Sequence, residues 1–403
     1  MRSLAILSMH TSPLAQPGTG DGGGMNVYVR ELATALARAG VAADVYTRAE
    51  DPSQPPVVRV EPGFRVHHVP AGPDAPLDKA ELPFVVDEFA HGVVTLLEHN
   101  PADAIHANYW LSGIAGHEIK HRLDLPLVST FHTLDRVKAE DSDDPGDRAE
   151  AEAAIIGCSD AILASCDVEA NQLRDLYDAD PSRIEIVAPG VDHAFFAPGD
   201  RRQARRALGF DEDGPLLLFV GRIQPLKGLD VAIHTLARIA DTRTRLIVVG
   251  GPSGPLGEDE VIRMHKLVAD LGVTHRVHFV PPQRHELLST FYRAADVTLV
   301  PSRSESFGLV ALEAAACGTP VVACAVGGLT TLVDHGDTGF LVDGRDPDAF
   351  AAFTTELLDN PARAAQFSAR AARRAQRYTW SVAAGRLRRL YTDLTSRQLV
   401  DCA

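Results

Sequence analysis

The stretch Leu4-Ala5-Ile6-Leu7-Ser8-Met9 decides how this chain begins to fold. Its apolar run reads as a buried strand. A glycine-rich segment follows, and residues 25–38 then carry Val27, Leu32, Ala35 and Leu36 at helical spacing. Gly40 stops that helix, and residues 42–47 resume as a strand. This is a βαβ opening, and near-continuous apolar strands indicate a parallel sheet covered on both faces. Working outward, residues 64–69, 104–106, 127–130 and 161–164 read as further strands, with helices at 82–99, 114–123 and 148–158.

The pattern restarts after Pro198-Gly199. Strands are expected at 216–220, 246–249, 277–280, 297–300 and 321–323, with helices at 229–239, 259–271, 286–294 and 308–316. The chain is therefore read as α/β, with a first domain over 1–195 and a second over 200–375. Open parallel sheets bind ligands beyond the carboxyl ends of their strands. Two such sheets facing one another would make the central cleft the default site.

The totals bound the function. At 403 residues the chain is too long for one ordinary core. A net charge of −15 argues against nucleic acid or an anionic membrane as the main partner. A few local cations can still hold a small anionic substrate. Five cysteines (Cys158, Cys166, Cys317, Cys324 and Cys402) show no metal spacing and read as reduced thiols. The apolar run 4–9 is too short for a signal peptide, and no stretch approaches the roughly 20 apolar residues that span a bilayer. The expected location is the cytoplasm.

Four clusters carry candidate chemistry. His10, Gln16-Pro17 and Gly20-Asp21-Gly22-Gly23-Gly24-Met25-Asn26 follow the first strand, where backbone N–H groups and a helix N-terminus favour a phosphate. A flexible loop explains the glycines equally well. Arg222 and Lys227 lie between a strand and a helix, a fork and a point charge suited to a diphosphate, although such a pair alone reads as solvated cations. Glu305 and Glu313 lie past a strand and within the next helix. They are placed either to accept sugar hydroxyls or to serve as helix and salt-bridge charges. His106-Ala107-Asn108-Tyr109-Trp110 and Phe131-His132-Thr133 end two first-half strands. Lys79 and Arg148, taken singly, read as surface cations.

Together these clusters resemble the retaining glycosyltransferases of family 4, which have the GT-B fold of two Rossmann-like domains with parallel sheets facing a central cleft. Arg222/Lys227 and the segment 305–313 match that family's donor motifs in order and spacing. A narrower resemblance is to the actinobacterial D-inositol 3-phosphate N-acetylglucosaminyltransferases of mycothiol biosynthesis. It is carried by Ser8-Met9-His10-Thr11-Ser12-Pro13, Gly23-Gly24-Met25-Asn26-Val27-Tyr28, Tyr109-Trp110-Leu111-Ser112-Gly113 and Phe291-Tyr292-Arg293-Ala294-Ala295-Asp296.

The resemblance implies transfer of N-acetylglucosamine from UDP-N-acetylglucosamine to 1D-myo-inositol 3-phosphate. It implies that Lys79, Tyr109, Thr133 and Arg148 grip the acceptor phosphate. His10 and the run Asp21, Gly22, Gly23, Gly24, Met25 and Asn26 would surround the inositol. Gln16, Pro17, Gly24, Arg222, Lys227, Glu305 and Glu313 would contact the donor, with His132 lining the reacting centre beside Arg222, Lys227 and Glu305. It also implies a homodimer, and a helix at about 380–396 packing back on the first domain. Magnesium would sit near Tyr292, Arg293, Ala295 and Thr319 through backbone oxygens, and is read as non-essential. Two departures stand out: Gly22 replaces the family's usual Ser, and the 135–147 region is shorter, with Glu152 one helical turn beyond Arg148 as its expected partner. Sucrose-phosphate synthases share a similar glycine-rich opening. The rival readings are such a same-fold enzyme with another acceptor, a non-catalytic sugar-nucleotide binder, and an NAD(P) oxidoreductase, the last disfavoured by the missing GxGxxG.

Overall fold

The computed structural model describes residues 2–18, 20, 22–138, 147–210, 214–254 and 257–402, without the Lys138 side chain. Its contacts divide into two units: residues 1–15, 25–188 and 380–403 form unit 1, and residues 16–24 and 189–379 form unit 2.

Unit 1 holds, in chain order, β1 (Ser3–Leu7), α1 (Gly24–Arg38), β2 (Ala42–Arg48), β3 (Val57–Glu61), β4 (Phe64–Val69), α2 (Val86–His99), β5 (Ala104–Asn108), α3 (Trp110–Leu123), β6 (Leu127–Thr130), α4 (Asp135–Lys138), α5 (Asp147–Cys158), β7 (Ala161–Ala164), α6 (Asp167–Tyr177) and β8 (Ile184–Ile186). The strand order is β3-β4-β2-β1-β5-β6-β7-β8, and among the described residues only β3 runs antiparallel to its neighbour. Side chains alternate across β1. Leu4 and Ile6 pack with α1, while Ala5 and Leu7 pack with α2 and α3 on the other face. This two-sided burial is why the strand reads as continuously apolar.

Unit 2 begins with α7 (Arg201–Leu208) and β9 (Leu216–Val220), followed by α8 (Leu229–Arg238), β10 (Arg245–Val249), α9 (Gly257–Asp270), β11 (Val277–Val280), α10 (His285–Ala294), β12 (Val297–Val300), α11 (Leu309–Ala316), β13 (Val321–Cys324), α12 (Leu329–Leu332), β14 (Gly339–Val342), α13 (Pro347–Asp359) and α14 (Pro361–Ala375). Its sheet is parallel, in the order β11-β10-β9-β12-β13-β14. The last helix, α15 (Trp380–Leu394), belongs to unit 1, where Trp380, Ala384, Leu387 and Tyr391 join the core beside β1 and α1.

Several expected bounds shift for identifiable reasons. The helix expected from residue 82 is a 3₁₀ turn, Leu82–Val85, with Pro83 near its start, and α2 begins only at Val86. The helix expected from 114 starts at Trp110, because Leu111 and Ala115 already face the core. Of the five cysteines read as reduced thiols, Cys166, Cys317 and Cys324 are free and buried, while the Cys158 and Cys402 sulfurs are brought against one another, with Cα atoms 5.2 Å apart. The pairing spans 244 residues, beyond any spacing rule. No helix among the described residues is long and apolar enough to cross a membrane.

Candidate active site

Each sheet reverses its winding once. In unit 2 this happens between β9 and β12, so the loops after those two strands flank the crevice where an open sheet binds ligands. Arg222 and Lys227 stand in the first loop and Glu305 in the second. The loops are pressed together: Gly228 has φ +73°, and a Cβ there would stand 2.2 Å from the Pro301 carbonyl oxygen. Lys227 Nζ donates to Glu305 Oε1 at 2.5 Å, and Ser302 Oγ donates to the same oxygen at 3.1 Å. Arg222 Nη1 donates to Ser253 Oγ at 3.2 Å.

The glycine-rich segment contributes to this unit through its start. Gly18 N–H donates to Gly22 O at 2.9 Å, Gly18 packs on Pro282, and Gly23 lies against the Arg222 guanidinium. Gln16 and Pro17 are half-buried, and Gly24 is exposed beside Leu309. Asp21 lies outside the described residues. Glu313, on α11, is buried, with His285 Nε2 at 2.7 Å from one carboxylate oxygen and the Tyr292 hydroxyl donating to the other at 2.8 Å. Burial, with Glu313 beside it, pushes the Tyr292 phenol well above its ordinary range.

The four residues expected near magnesium have other duties. The Tyr292 carbonyl accepts from Thr319 Oγ1 at 2.6 Å, Ala295 is buried, and Arg293 donates to Phe195 O at 3.0 Å and to Ser289 Oγ at 3.0 Å. The expected ligands are backbone oxygens, of which the Tyr292 carbonyl already accepts the Thr319 hydrogen bond.

In unit 1 the reversal lies between β1 and β5, so the loops after those two strands carry the crevice. His10 follows β1, with its ring 4.4 Å from that of Tyr109, which follows β5. Arg148 joins the group from α5. Its Nη2 donates to Thr133 O at 2.7 Å and Thr133 Oγ1 at 3.1 Å, its Nη1 donates to the Tyr109 hydroxyl at 3.2 Å, and its guanidinium carbon stands 4.9 Å from the Tyr109 ring centroid. Tyr109, Thr133 and Arg148 are thus brought together, and the expected Glu152 contact is made at 2.8 Å. Lys79 is exposed in the segment between β4 and α2.

Four non-glycine residues have positive φ among those described. Asp124 and Asp178 close helices, where a left-handed residue is ordinary. Tyr109 (φ +76°) and His132 (φ +61°) instead follow strands, and strain held at strand ends marks functional positions. His132 Nε2 donates to Asn108 Oδ1 at 2.9 Å, and burial pushes its imidazole down to about 3, so it stays uncharged near neutrality. His106, by contrast, is a core residue. Its two nitrogens bond the Thr130 and Tyr391 hydroxyls, both at 2.8 Å, which removes it from the candidate site. Asn26 likewise ties α1 to the loop after β1, through Thr11 Oγ1 and Ser12 O, both at 2.6 Å, and Met25 is half-buried beside it. Sequence reading missed Ser253 and Ser302. The available signal was their position just beyond the ends of β10 and β12.

Residues 23–190 match the family described as glycosyl transferase 4-like domain, and residues 200–374 match glycosyl transferases group 1. The D-inositol 3-phosphate glycosyltransferase of Thermobispora bispora is 47% identical, over 98% of this chain and 95% of its own length. Its counterpart in Acidothermus cellulolyticus is 48% identical over 94% and 87%. This chain belongs to that glycosyltransferase family. Among solved structures, sucrose-phosphate synthase from Thermosynechococcus elongatus matches this glycosyltransferase with a TM-score of 0.92 at 33% identity, covering 98% of this chain and 99% of the other. Anabaena Alr3699/HepE, solved with UDP and glucose, shares the fold, with a TM-score of 0.81 at 19% identity over 98% and 100%. The enzyme's architecture is accordingly GT-B, with one Rossmann-like sheet in each unit.

Proposed function

We propose that this enzyme transfers N-acetylglucosamine from UDP-N-acetylglucosamine to 1D-myo-inositol 3-phosphate, with retention at the anomeric carbon, as the first step of mycothiol biosynthesis. The observation that carries the acceptor reading is the Arg148 fork, held by Glu152 and flanked by the hydroxyls of Tyr109 and Thr133. Such a planar cation among hydroxyls suits a phosphate monoester. The name that the relatives carry supports the same acceptor. His10 and the backbone of residues 22–26 would border the inositol ring, with Lys79 adding a further positive charge.

On the donor side, Arg222 and Lys227 would stabilise charge growing on the leaving UDP, the electrostatic contribution that dominates such reactions. An ammonium has three donors, so pairing with Glu305 leaves others for a diphosphate oxygen. Glu305 would orient the sugar, Glu313 would take ribose hydroxyls on its remaining lone pairs, and neutral His132 would line the reacting centre without forming a covalent bond. Magnesium near Tyr292, Arg293, Ala295 and Thr319 is taken as non-essential, and no step is assigned to it. The enzyme would act in the cytoplasm as a homodimer.

The test is UDP release from UDP-N-acetylglucosamine with 1D-myo-inositol 3-phosphate, myo-inositol or a hexose phosphate as acceptor. Release with the inositol phosphate alone supports the proposal. Release with the hexose phosphate instead would move the enzyme to the sucrose-phosphate-synthase reading, which its 0.92 TM-score to that enzyme favours.

A further inference from the structure

On α3, His117 and His121 are one turn apart and share a face, with ring centroids separated by 4.9 Å. Their Nε2 atoms converge on two sulfurs. His121 Nε2 lies 3.4 Å from Cys158 Sγ and 3.2 Å from Cys402 Sγ, and His117 Nε2 lies 3.9 Å from Cys402 Sγ. All four donor atoms fall within 4.8 Å of one another. Cys158 ends α5, and Cys402 sits in the tail beyond α15.

We propose that His117, His121, Cys158 and Cys402 form a tetrahedral zinc site, with both cysteines bound as thiolates, that clips the C-terminal tail to α3 and α5. A disulfide needs no nitrogen donors, and nothing in its bonding explains two imidazoles turned onto its sulfurs. Zinc explains both. With Zn–S near 2.3 Å and Zn–N near 2.05 Å, a tetrahedron sets N···S at about 3.5 Å, in the middle of the three separations here. Two His with two Cys is also the donor set of closed structural zinc sites. Binding releases two thiol protons and changes no oxidation state, so the bound form suits a reducing compartment, where a disulfide would not persist.

The surroundings hold the tail in place for this. Lys120, between the two histidines, donates to Cys158 O at 2.8 Å and pairs with Asp160 at 2.9 Å. Asp160 Oδ1 accepts from Val400 N–H at 2.7 Å, two residues before Cys402. The site would join the C-terminal ends of the two helices whose opposite ends carry Tyr109 and Arg148. Its role is therefore to fix α3 against α5 beneath the phosphate-binding residues.

The test uses untagged full-length enzyme purified without oxygen in the presence of a thiol reductant, then dialysed against zinc and buffer. One zinc per chain by elemental analysis is expected, falling to background in both Cys402→Ser and His121→Ala. Cobalt substituted into the wild type should give strong visible ligand-field bands with a near-ultraviolet thiolate charge-transfer band, both absent from the two variants. Chelation should expose two additional thiols to a titrating reagent and lower the unfolding temperature to that of Cys402→Ser. Wild-type protein that takes up no zinc or cobalt, variants that keep the metal, or Cys158 and Cys402 recovered as a disulfide from reductant-treated protein would each overturn the site.

Discussion

Arg148 Nε donates to Glu152 Oε1 at 2.8 Å, one helical turn along α5, and the Glu152 carboxylate is wholly buried. Its other oxygen accepts from the Asp135 N–H at 2.9 Å and from the Tyr177 hydroxyl, so the carboxylate is saturated from inside the protein and serves as a fixed seat for the guanidinium. Glu152→Gln keeps the shape and removes the charge. A charge-assisted hydrogen bond contributes about 1.5–3 kcal/mol, so KM for the phosphorylated acceptor should rise about 10-fold or more, with KM for the sugar nucleotide unchanged. Initial rates over a matrix of both substrates separate the two, and an equal rise in both constants would dissociate Glu152 from the acceptor.

In the proposed reaction, Lys227 and Arg222 act on the other substrate. Their removal should appear mainly in kcat, since charge on the diphosphate builds up as the sugar leaves. Loss of a single well-placed donor costs about 10²–10³ in rate. Lys227→Ala carries a second penalty, because Glu305 loses its ammonium partner and keeps only Ser302 as a described side-chain donor to Oε1. Near-wild-type turnover in Arg222→Ala and Lys227→Ala would remove the diphosphate assignment.

Much of this was readable before any coordinates. β1 and β7 are buried on both faces and mostly apolar, which marks them, whereas β5 and β6 bury His106, Asn108, Ser129 and Thr130 and rest on their apolar first residues. β3 escaped notice because it is an antiparallel edge strand with none of its five residues fully buried, between Pro55-Pro56 and Pro62. The Arg222/Lys227 and Glu305/Glu313 motifs were legible because their spacing is local, within the loop after β9 and from the loop after β12 into α11. Arg148 looked like an isolated cation because Thr133 and Tyr109 lie 15 and 39 residues away and meet it only through the sheet. Cys402 had no legible partner at all, because its nearest sulfur is 244 residues distant.

Glycine at 327 is the strictest requirement behind Glu305. Its φ is +47°, and an added Cβ would stand 1.8 Å from the Glu305 carbonyl oxygen, while the next residue, Gly328, donates its N–H to that oxygen at 3.0 Å. Backbone cannot give way as a side-chain tip can, so Gly327→Ala must displace Glu305 or its loop. We expect kcat to fall at least about 10-fold, in keeping with a misplacement of about 1 Å costing up to 10², with UDP affinity by calorimetry less affected. A variant with unchanged kcat would mean that the Glu305 position has no hold on turnover.

His106 and His132 set the acid limit of unit 1. Burial pushes each imidazole from 6.5 down to about 3, with His132 beside His106 as a further, smaller influence on it. Between those pH values the unfolded chain binds protons that the folded chain refuses, so these groups make stability fall as pH drops below about 6.5 and leave it flat above. Each contributes a slope of at most about 1.4 kcal/mol per pH unit. The two tryptophans of the chain, Trp110 and Trp380, both belong to unit 1, so urea unfolding followed by their fluorescence reports on this unit. The midpoint should hold steady from pH 7 to 8 and decline steadily from pH 6.5 to 5, with a shallower decline in His106→Gln. A midpoint equal at pH 5 and pH 7.5 would show that both histidines take up protons in the folded state. His132 would then be a cation at the reacting centre under mild acid, and its neutral role there would fail.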